Sequence, residues 1–250
     1  KLYTNGVLIK EKIEIAREFG LIKLSLDTID RKKYKEITGK DKLEDVLEGI
    51  RLAKKNEIRV RINTVLTQKN YNEIFDIVNF CCRNELDLKI LDLNCFAMPG
   101  YSTWQTLYKS PAGIMRSFEA MGLKKEIIYT QGNYGIPMPE YRMNNIHIRI
   151  KDTKDYSVYS PVCQNCKYFL CQEGLYHLTL TSNGRLKMCR HRPDISVDLN
   201  HQNNSLDIKK SIIKFLDEHY FPAQRPHFKK QVFLGQFGER NFSKISPRLF

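Results

Sequence analysis

The sequence predicts an α/β fold, with a parallel sheet and covering helices in the first hundred residues and a smaller α+β region after them. In the first part, runs that resemble strands alternate with segments of helical periodicity. A repeated strand-helix order calls for parallel strands joined by crossover helices. After Gly100 this rhythm stops, and shorter strand-like runs appear among Gly, Pro and Asn turns. We therefore expect two domains, over residues 1–100 and 101–250.

Each predicted element has its own local signal. The opening KLYTNG segment reads as the end of one strand, and three apolar runs read as further strands: 21–26, 58–66 and 88–95. Three stripes of apolar residues at helical spacing predict helices: Ile9, Ile13 and Ala16; Leu43, Val46, Leu47, Ile50 and Ala53; Ile74, Ile77, Val78 and Cys81. Asp41 and Glu44 form an acidic variant of a capping box before the second helix.

The second part is expected to contain shorter elements. Ser110 and Pro111 start a helix that Gly122 ends. The remaining predicted elements are strands over 126–130 and 145–150, a hairpin over 178–189, a polar loop over 194–204 and a helix over 206–217.

Polar residues alternate with apolar ones along the predicted strands of the first part. The polar positions are Ser25 and Asp27; Arg59, Arg61 and Asn63; and Asp92 and Asn94. Parallel strands buried on both faces read as continuous apolar runs, so here the two faces differ. In a barrel, one face lies under the helices and the other lines the interior, where we place the polar set. Burying Arg61 unpaired costs about several kcal/mol, which favours an anionic ligand; an internal ion pair or an edge strand is the alternative.

Composition and charge restrict the class of protein. The chain has 250 residues, 42% hydrophobic and 28% charged, as in ordinary globular proteins. No apolar run is long enough to span a membrane, and no signal peptide is visible. Seven cysteines, an odd number, favour metal ligation in a reducing, cytoplasmic compartment. The net charge of +13 implies an anionic partner. The absence of an initiator Met at Lys1 predicts the C-terminal part of a longer polypeptide.

The strongest chemical signal is a cysteine-rich stretch over residues 160–191. It contains four of the seven cysteines, as C-x2-C-x4-C and one more after a predicted hairpin: Cys163, Cys166, Cys171 and Cys189. Thiolates at this spacing can share one metal centre. Spacing alone leaves zinc and iron-sulfur open, with His177 or His191 as a nitrogen ligand for zinc. The other three cysteines read as core residues: Cys81, Cys82 and Cys95.

Several common catalytic motifs do not occur in the sequence. It contains no G-x-S-x-G elbow, P-loop or dinucleotide fingerprint. The sequence therefore gives no support to hydrolase or nucleotide-kinase functions.

Taken together, several segments closely resemble the radical S-adenosylmethionine (SAM) GTP cyclases of molybdenum-cofactor biosynthesis. In the first part these are YTNGVLI, GLIKLSLDTID, ITGKDKLEDVLEGI and VRINTVL, at 3–9, 20–30, 37–50 and 60–66. In the second part they are CQNC, LTLTSNGRLKMC and RNFSKIS, at 163–166, 178–189 and 240–246. The resemblance implies the second half of a partial (β/α)6 TIM-like barrel, followed by a domain with an auxiliary four-iron, four-sulfur cluster.

The resemblance also implies roles for individual residues. Cys163, Cys166 and Cys189 match the three ligands of the auxiliary cluster. Thr4, Ser25 and Asn94 match positions that border or contact SAM, and Arg61 matches a lysine that binds the substrate triphosphate. Asn63, on the same predicted face as Arg61, is assigned to the nucleotide substrate with it. His177 and Thr179 align with an Arg-x-Arg pair that contacts the substrate.

Departures from the family pattern leave the substrate open between GTP and another ligand. Cys171 lies in a longer loop and could be a fourth ligand of the auxiliary cluster. The family's C-x3-C-x2-C motif, which holds the cluster that reduces SAM, is absent from these residues and is expected on a segment before Lys1. Without it we expect the chain alone to be inactive.

Three functions follow as hypotheses. The leading one is a radical SAM enzyme that rearranges a purine nucleotide, GTP or an analogue, into a cyclised product. The second is a peptide-modifying radical SAM enzyme with a four-cysteine auxiliary cluster. The third is a zinc-knuckle nucleic-acid binder, which would show steep salt dependence of affinity but does not explain the barrel pattern. We expect neither a membrane nor a nucleic-acid partner, and we leave a homodimer open.

Overall fold

The architecture is described from a computed structural model of the chain. The structure describes residues 1–94, 101–128, 138–152, 166, 178–189, 191–200 and 204–219. Its contacts divide the chain into two compact units: residues 1–128 with 138–152, and residues 129–137 with 153–250. The boundary expected near residue 100 therefore falls inside the first unit.

Seven strands form one sheet in the first unit, in the order β1-β2-β3-β4-β7-β6-β5. They are β1 Leu2–Thr4, β2 Ile22–Ser25, β3 Val60–Leu66, β4 Asp87–Asp92, β5 Glu126–Ile128, β6 Met138–Met143 and β7 Ile146–Lys151. Strands β1 to β4 and β7 run parallel to one another, whereas β6 pairs antiparallel with both β7 and β5. The predicted α/β class with a mostly parallel sheet is confirmed.

The described helices of the first unit are α1 Ile13–Arg17, α2 Arg31–Thr38, α3 Leu43–Lys55, α4 Ile74–Arg83, α5 Tyr101–Leu107 and α6 Ala112–Ala120. A short 3-10 turn, Tyr71–Glu73, leads into α4. The three predicted helices of the first hundred residues and the helix after Pro111 are confirmed. Helix α2 was not predicted from the sequence, although both of its ends carry local signals. Asp30 accepts a hydrogen bond from Lys33 N at 2.8 Å at the start, and Gly39 ends the helix in the left-handed conformation.

The capping box predicted at Asp41 and Glu44 is wrong. The residue before α3 is Lys42, and no side chain caps that helix end. Asp41 instead accepts hydrogen bonds from Arg31, at 2.9 Å from Nε and 3.1 Å from Nη2. An acidic residue two positions before the helix is thus paired with an arginine on α2, so its carboxylate is not available for the backbone.

The apolar face of the sheet forms the core of the first unit. Ile22, Leu24, Ile62, Leu88 and Ile90 have no exposed surface and pack in one cluster with apolar residues of α3 and α4, including Val46, Ile50, Ile77 and Val78. Each such side chain contributes about 1.5 to 3 kcal/mol when fully buried. Because side chains alternate along a strand, this burial sends the intervening polar residues to the opposite face.

The TNG segment after β1 forms a tight turn against α3. Thr4 Oγ1 accepts a hydrogen bond from Gly6 N at 3.1 Å, and Asn5 Oδ1 accepts one from Val7 N at 3.2 Å. Gly6 has a φ of +85°, which favours glycine. A Cβ at Gly49 would lie 2.9 Å from Gly6 O, so both glycines permit the turn and helix to touch.

The described part of the second unit contains a small sheet and a helix. The sheet has the order β10-β9-β8 and is antiparallel, with β8 Thr179–Leu180, β9 Arg185–Lys187 and β10 Ser196–Asp198; α7 spans Ser205–His219. The predicted hairpin and the final helix are confirmed, while β10 lies in the predicted loop. Leu186, Met188, Ile195 and Phe215 form a separate buried cluster. Among the described residues, no helix is long and apolar enough to cross a membrane.

Candidate functional site

The polar face of the main sheet carries a row of residues that runs across five strands. The strand registers place Ser25 beside Asn63, Asn63 beside Lys89, Lys89 beside Arg149, and Arg149 beside Glu140. Directly opposed side chains on one face of a sheet lie within contact distance of each other. These five residues, which we call the polar row, include two cations and one carboxylate.

A second line of polar residues lies next to this row, two residues earlier on β2, β3 and β4. Here Tyr3 stands beside Lys23, Lys23 beside Arg61, and Arg61 beside Asp87. Lys23 donates a hydrogen bond to the Tyr3 hydroxyl, and its Nζ lies 4.3 Å from the centre of the Tyr3 ring. Asp87 Oδ1 accepts a hydrogen bond from His147 N at 3.0 Å. Arg61 therefore lies between a lysine and a carboxylate that is already bonded to the backbone.

The cations on this face destabilise one another. Burial, followed by the charges of the neighbouring cations Arg61, Lys151, Lys23 and Arg149, lowers the pKa of Lys89 to about 8. Burial is also the main cause that lowers the pKa of Arg61, followed by Arg149. An anion that binds beside such a cation stabilises its charged form. The polar face is thus electrostatically prepared for an anionic ligand.

Two polar atoms on this face are buried without a hydrogen-bond partner among the described residues. They are Arg61 Nε and Asn63 Oδ1. A buried polar group without a partner costs about 1 to 3 kcal/mol, and more when it is charged. One donor and one acceptor therefore remain for a ligand at adjacent positions along β3.

Glu140 is the carboxylate at the end of the polar row. It is 5% exposed, accepts from Arg149 Nε at 2.6 Å and lies 3.0 Å from His147 Nδ1. Burial would raise the pKa of Glu140, but the hydrogen bonds from Arg149 and His147 bring it below its usual value. Glu140 is therefore ionised and fixes the position of Arg149.

Asp27 lies beyond the end of β2, in line with Ser25. Its Oδ1 accepts a hydrogen bond from Val65 N at 2.7 Å, and burial raises the pKa of this carboxyl group. Asp27 therefore ties the segment after β2 to β3, which holds the C-terminal ends of two neighbouring strands together.

The structure brings together three of the residues that the sequence predicts for the first unit: Ser25, Arg61 and Asn63. Thr4 pairs in register with Leu24, on the helix-covered face, and its hydroxyl bonds the TNG turn. Asn94 follows the end of β4 and is half-buried. The contacts predicted for Thr4 and Asn94 with SAM stay predictions.

The polar positions expected on β4 need a correction. Asp92 shares the side of Leu88 and Ile90, is 5% exposed and does not belong to the polar face. The polar face of β4 instead presents Asp87, Lys89 and Leu91, which pair with residues of that face on β3. Lys89 and Arg149 are thus site residues that the sequence reasoning missed. The alternating DLKIL and IHIRIK segments separate these residues from their apolar neighbours, but only the strand registers align them with the polar residues of β3 and β6.

The predicted metal ligands lie in the second unit, where the structure describes two of the four cysteines. Cys166 and Cys189 are free, half-buried thiols. Cys163, Cys171 and His177 lie outside the described residues, and Thr179 is exposed on β8. Among the described residues, no group of three or more Cys, His, Asp or Glu side chains is placed to hold a metal ion.

An arginine accompanies the two described cysteines. Arg192 follows Cys189 by three residues, and its Nε donates a hydrogen bond to Asp194 Oδ1 at 2.9 Å. The hydrogen bond to Asp194 raises the pKa of Arg192, and Cys166 contributes to the same rise. Cysteine sulfurs are ligands of both iron-sulfur and zinc centres, so the two described cysteines fit either kind of metal centre.

The first part of the chain matches a known superfamily. Residues 1–81 match the Radical SAM superfamily. This segment contains β1 to β3 with the TNG turn, Ser25, Arg61 and Asn63. The class of protein is therefore a radical SAM protein. Proteins of this class use S-adenosylmethionine together with an iron-sulfur cluster.

Relatives narrow this class to one family. A probable GTP 3',8-cyclase of Sulfurisphaera tokodaii is 30% identical over 237 residues, which cover 92% of this chain and 69% of that protein. A probable GTP 3',8-cyclase of Pyrococcus abyssi is 28% identical over 204 residues, which cover 79% of this chain and 62% of that protein. The GTP 3',8-cyclase of Clostridium perfringens is 39% identical over 95 residues, or 37% of this chain and 29% of its own. The chain belongs to the GTP 3',8-cyclase family. It spans between about a third and two thirds of the length of these relatives.

Proposed function

We propose that this chain supplies the nucleotide-binding and SAM-contacting surface of a radical SAM enzyme of the GTP 3',8-cyclase type. The first unit would be the second half of a partial (β/α)6 barrel, with the polar face of its sheet turned to the interior. The second unit would hold an auxiliary four-iron, four-sulfur cluster. The substrate would be GTP or a close analogue, rearranged to a cyclised product.

The observation that supports this proposal is the excess of half-buried cations on the polar face. Five half-buried cations, Lys23, Arg61, Lys89, Arg149 and Lys151, share it with two carboxylates that are not exposed, Asp87 and Glu140. The exposed Arg142 and Glu126 lie on the same face. The lowered pKa of Lys89 and the unpaired Nε of Arg61 show that the carboxylates do not fully compensate these charges. A triphosphate has the charge and the many acceptor oxygens that such a surface requires.

Arg61 would make the central contact with the phosphates. Its Nε is the buried donor without a partner, and guanidinium groups bind phosphate oxygens through parallel hydrogen bonds. Lys89 would add a point charge from the next strand, and Arg149, fixed by Glu140, would add a second guanidinium. The three side chains come from three neighbouring strands, so their positions depend on the sheet rather than on a loop.

SAM would lie near the C-terminal ends of the parallel strands. Ser25 and Asn94 would contact it, and the unpaired Asn63 Oδ1 beside Ser25 is an acceptor suited to the ammonium group of its methionine portion. When bound, SAM with the family's reducing cluster supplies the radical that starts the reaction. The chain's own contribution is to hold the nucleotide and SAM in a fixed relation on a rigid sheet.

The auxiliary cluster would be held by Cys163, Cys166 and Cys189. Thiolates are the usual ligands of such clusters, and the two described thiols are free. Cys171 would either leave one iron open for the substrate or occupy it as a fourth ligand. His177 and Thr179, in place of the family's arginine pair, would border the same site.

The proposal is tested by GTP binding to the anaerobically reconstituted protein, measured by titration calorimetry. Arg61→Ala should weaken binding by about tenfold or more, because a hydrogen bond to a charged group is worth about 1.5 to 3 kcal/mol. Arg61→Lys, which keeps the charge, should recover most of the affinity. Lys55→Ala removes an exposed cation on α3 and is the matched control. Equal affinities in all four proteins would contradict the phosphate role of Arg61.

A second titration separates the nucleotide substrate from a peptide substrate. GTP and a candidate peptide are added in turn to the reconstituted protein, and the electron paramagnetic resonance spectrum of the auxiliary cluster is recorded. A change with GTP alone supports the nucleotide. A change with the peptide alone would favour a four-cysteine cluster and a peptide-modifying enzyme.

A further inference from the structure

Asn70 lies in the turn after β3, and its side chain has no exposed surface. Its Nδ2 donates hydrogen bonds to Asp27 O at 2.8 Å and to Val65 O at 2.9 Å. Its Oδ1 accepts from Thr67 N at 2.8 Å and from Thr67 Oγ1 at 3.2 Å. The amide thus uses two donor and two acceptor positions. This one side chain joins the end of β3 to the segment that follows β2.

The segment after β2 is bonded to β3 at two successive residues. Leu26 N donates to Asn63 O at 3.0 Å, and Leu26 O accepts from Thr64 Oγ1 at 2.7 Å. The next residue, Asp27, accepts through its carboxylate from Val65 N at 2.7 Å and through its carbonyl from the buried amide. The C-terminal ends of the two strands are therefore held together by side chains as well as by the sheet.

Two residues proposed to contact SAM lie directly beside these bonds. Ser25 precedes Leu26 and stands in register with Asn63. Among the described residues, the buried Asn63 Oδ1 has no hydrogen-bond partner. Such an acceptor costs free energy, so it keeps its position only where the surrounding structure holds it. The bonds from β3 to Leu26 and Asp27 hold the register that keeps this acceptor beside Ser25.

The same turn is bonded to α5 on its other side. Gln68 N donates to Leu107 O, at the end of α5, at 2.7 Å. Trp104 of this helix donates through Nε1 to Leu93 O at 2.9 Å, and Leu93 directly precedes Asn94. The turn after β3 is therefore linked by hydrogen bonds to the surroundings of all three positions proposed for SAM.

We propose that Asn70 is a positioning residue for SAM, which fixes the C-terminal ends of β2 and β3 and so holds Ser25 and Asn63 in one arrangement. It acts through the carbonyls of Asp27 and Val65 and, being buried, is not itself a ligand contact. This inference rests on the proposed SAM surface and adds to it a residue outside that surface. A surface that is fixed before binding loses less conformational freedom when the ligand arrives, so the affinity for SAM should depend on Asn70.

The test compares the dissociation constants of SAM and of GTP for the anaerobically reconstituted protein, each measured by titration calorimetry. Asn70→Ala should weaken SAM binding by about tenfold, because it frees the two carbonyls that hold the ends of the strands. GTP binding should change by less than about twofold. Arg61 lies about 13 Å before Val65 along β3, at about 3.3 Å per residue. A general loosening of the sheet would instead weaken the binding of both ligands.

Asn70→Asp separates the two halves of the amide. The carboxylate still accepts from Thr67 N but does not donate to Asp27 O or Val65 O, so SAM binding should be as weak as in Asn70→Ala. Hydrogen exchange of the ligand-free protein gives a readout that needs no ligand. The Val65 amide, which bonds Asp27, should exchange faster in both variants than in the wild type.

Two further variants complete the comparison. Thr64→Val removes only the hydroxyl bond to Leu26 O and should weaken SAM binding by a smaller factor, about threefold. Asn84→Ala is the matched control, because Asn84 Nδ2 donates to Phe80 O at 2.8 Å, before the start of β4 and so at the opposite end of the parallel strands. Its affinity for SAM should equal that of the wild type.

The outcomes are distinct. Weaker SAM binding in both Asn70 variants, with unchanged GTP binding and a wild-type affinity in Asn84→Ala, would support the inference. The same SAM affinity in all variants, or an equal loss of affinity for both ligands, would overturn it and leave the proposed SAM surface intact. A wild-type protein that binds GTP but not SAM would overturn that surface and this inference together. If the Asn70 variants do not fold, the affinity of Thr64→Val for SAM decides in the same way.

Discussion

Arg149 Nε donates a 2.6 Å hydrogen bond to Glu140 Oε2 from the directly opposed position of the neighbouring antiparallel strand. Glu140 is nearly buried, with 6% of its side chain exposed, and Arg149 is 28% exposed. On its other side, Arg149 stands in register with Lys89. Glu140 is therefore the one carboxylate of the polar row, and it sets the position of Arg149.

Replacing Glu140 with glutamine should destabilise the first unit by about 1.5 to 3 kcal/mol at pH 7, the usual worth of a hydrogen bond to a charged group. Because the folded protein lowers the pKa of Glu140, this stabilisation is present above the ordinary carboxyl pKa and is lost as pH falls through the lowered value. The wild type and Glu140→Gln should therefore converge as the pH falls below the lowered pKa of Glu140. Urea unfolding across this pH range measures the difference.

Glu126→Gln is the matched control for this experiment. Glu126 is the register partner of Glu140 on β5 but is exposed. Its loss should change the free energy of unfolding by less than about 0.5 kcal/mol. A constant difference between wild type and Glu140→Gln down to pH 2 would contradict the ionised, paired state of Glu140.

Replacing Lys89 with methionine should stabilise the free protein. Lys89 is half-buried among other cations, and burial is the main cause that lowers its pKa to about 8. At pH 7 the folded protein therefore holds a charge that it disfavours, and its removal should add about 1 to 3 kcal/mol. The free energy of unfolding, measured with urea at pH 7, gives this difference.

The sign of the pH dependence follows from the same lowered pKa. Between about pH 8 and pH 10 the unfolded chain keeps the Lys89 proton that the folded chain has lost, so the wild type gains stability as pH rises. The advantage of Lys89→Met should shrink over this range. Lys55→Met, on the exposed side of α3, should show no such trend. Lower stability of Lys89→Met at pH 7 would show that an interaction outweighs the cost of burying this charge.

The sequence predicts part of the polar face because alternation along one strand is a local property. Ser25, Arg61 and Asn63 follow this rule, and the neighbouring parallel strands align them. The position of Lys89 on the polar face does not follow from alternation alone. Within the strand predicted over 88–95, either set of alternate residues could be assigned to the polar face. A one-residue change of frame exchanges the two faces. Only the register of β4 with β3 shows that Asp92 is on the covered face.

Arg149 is out of reach of the sequence for a different reason. Its neighbour Glu140 lies on β6, and Pro139 within MPEYRM argues against a strand there. In the structure the pairing of β6 with β7 begins only at Glu140, so Pro139, which has no N–H to donate, precedes the paired residues on that side. The pair formed by Glu140 and Arg149 thus depends on an antiparallel addition to the sheet, which the strand-helix rhythm of the first hundred residues does not imply.

Replacing Gly49 with alanine should destabilise the first unit, although alanine favours helices. The new methyl group would lie 2.9 Å from Gly6 O and 3.1 Å from Ile9 Cβ, and a backbone oxygen in a turn moves only with the turn. Overpacking costs about 1 to 3 kcal/mol, against a gain of about 1 kcal/mol in helix propensity. We expect a net loss of up to about 2 kcal/mol in thermal or urea unfolding.

Gly20→Ala is the control for this steric effect. A Cβ at Gly20 would meet no heavy atom within 4 Å. This variant should be neutral or more stable by about 0.4 to 1 kcal/mol. Equal stability of both alanine variants would mean that the TNG turn can move away from α3 at little cost.

Nucleotide binding should weaken as pH rises through the pKa of Lys89. A triphosphate favours the charged form of this lysine, and in the free protein the pKa of Lys89 is about 8. At pH 9 only about a tenth of the free protein would carry that charge, so the affinity for GTP should fall by up to about tenfold from its value at pH 7.

The control for this prediction is Lys89→Arg, which stays charged over this range. Its affinity should therefore follow only the ionisation of GTP itself, and the ratio of the two dissociation constants isolates Lys89. Calorimetric titrations at pH 7, 8 and 9 give both curves. If the curves run in parallel, Lys89 does not contact the phosphates, and Arg61 and Arg149 alone provide the charge.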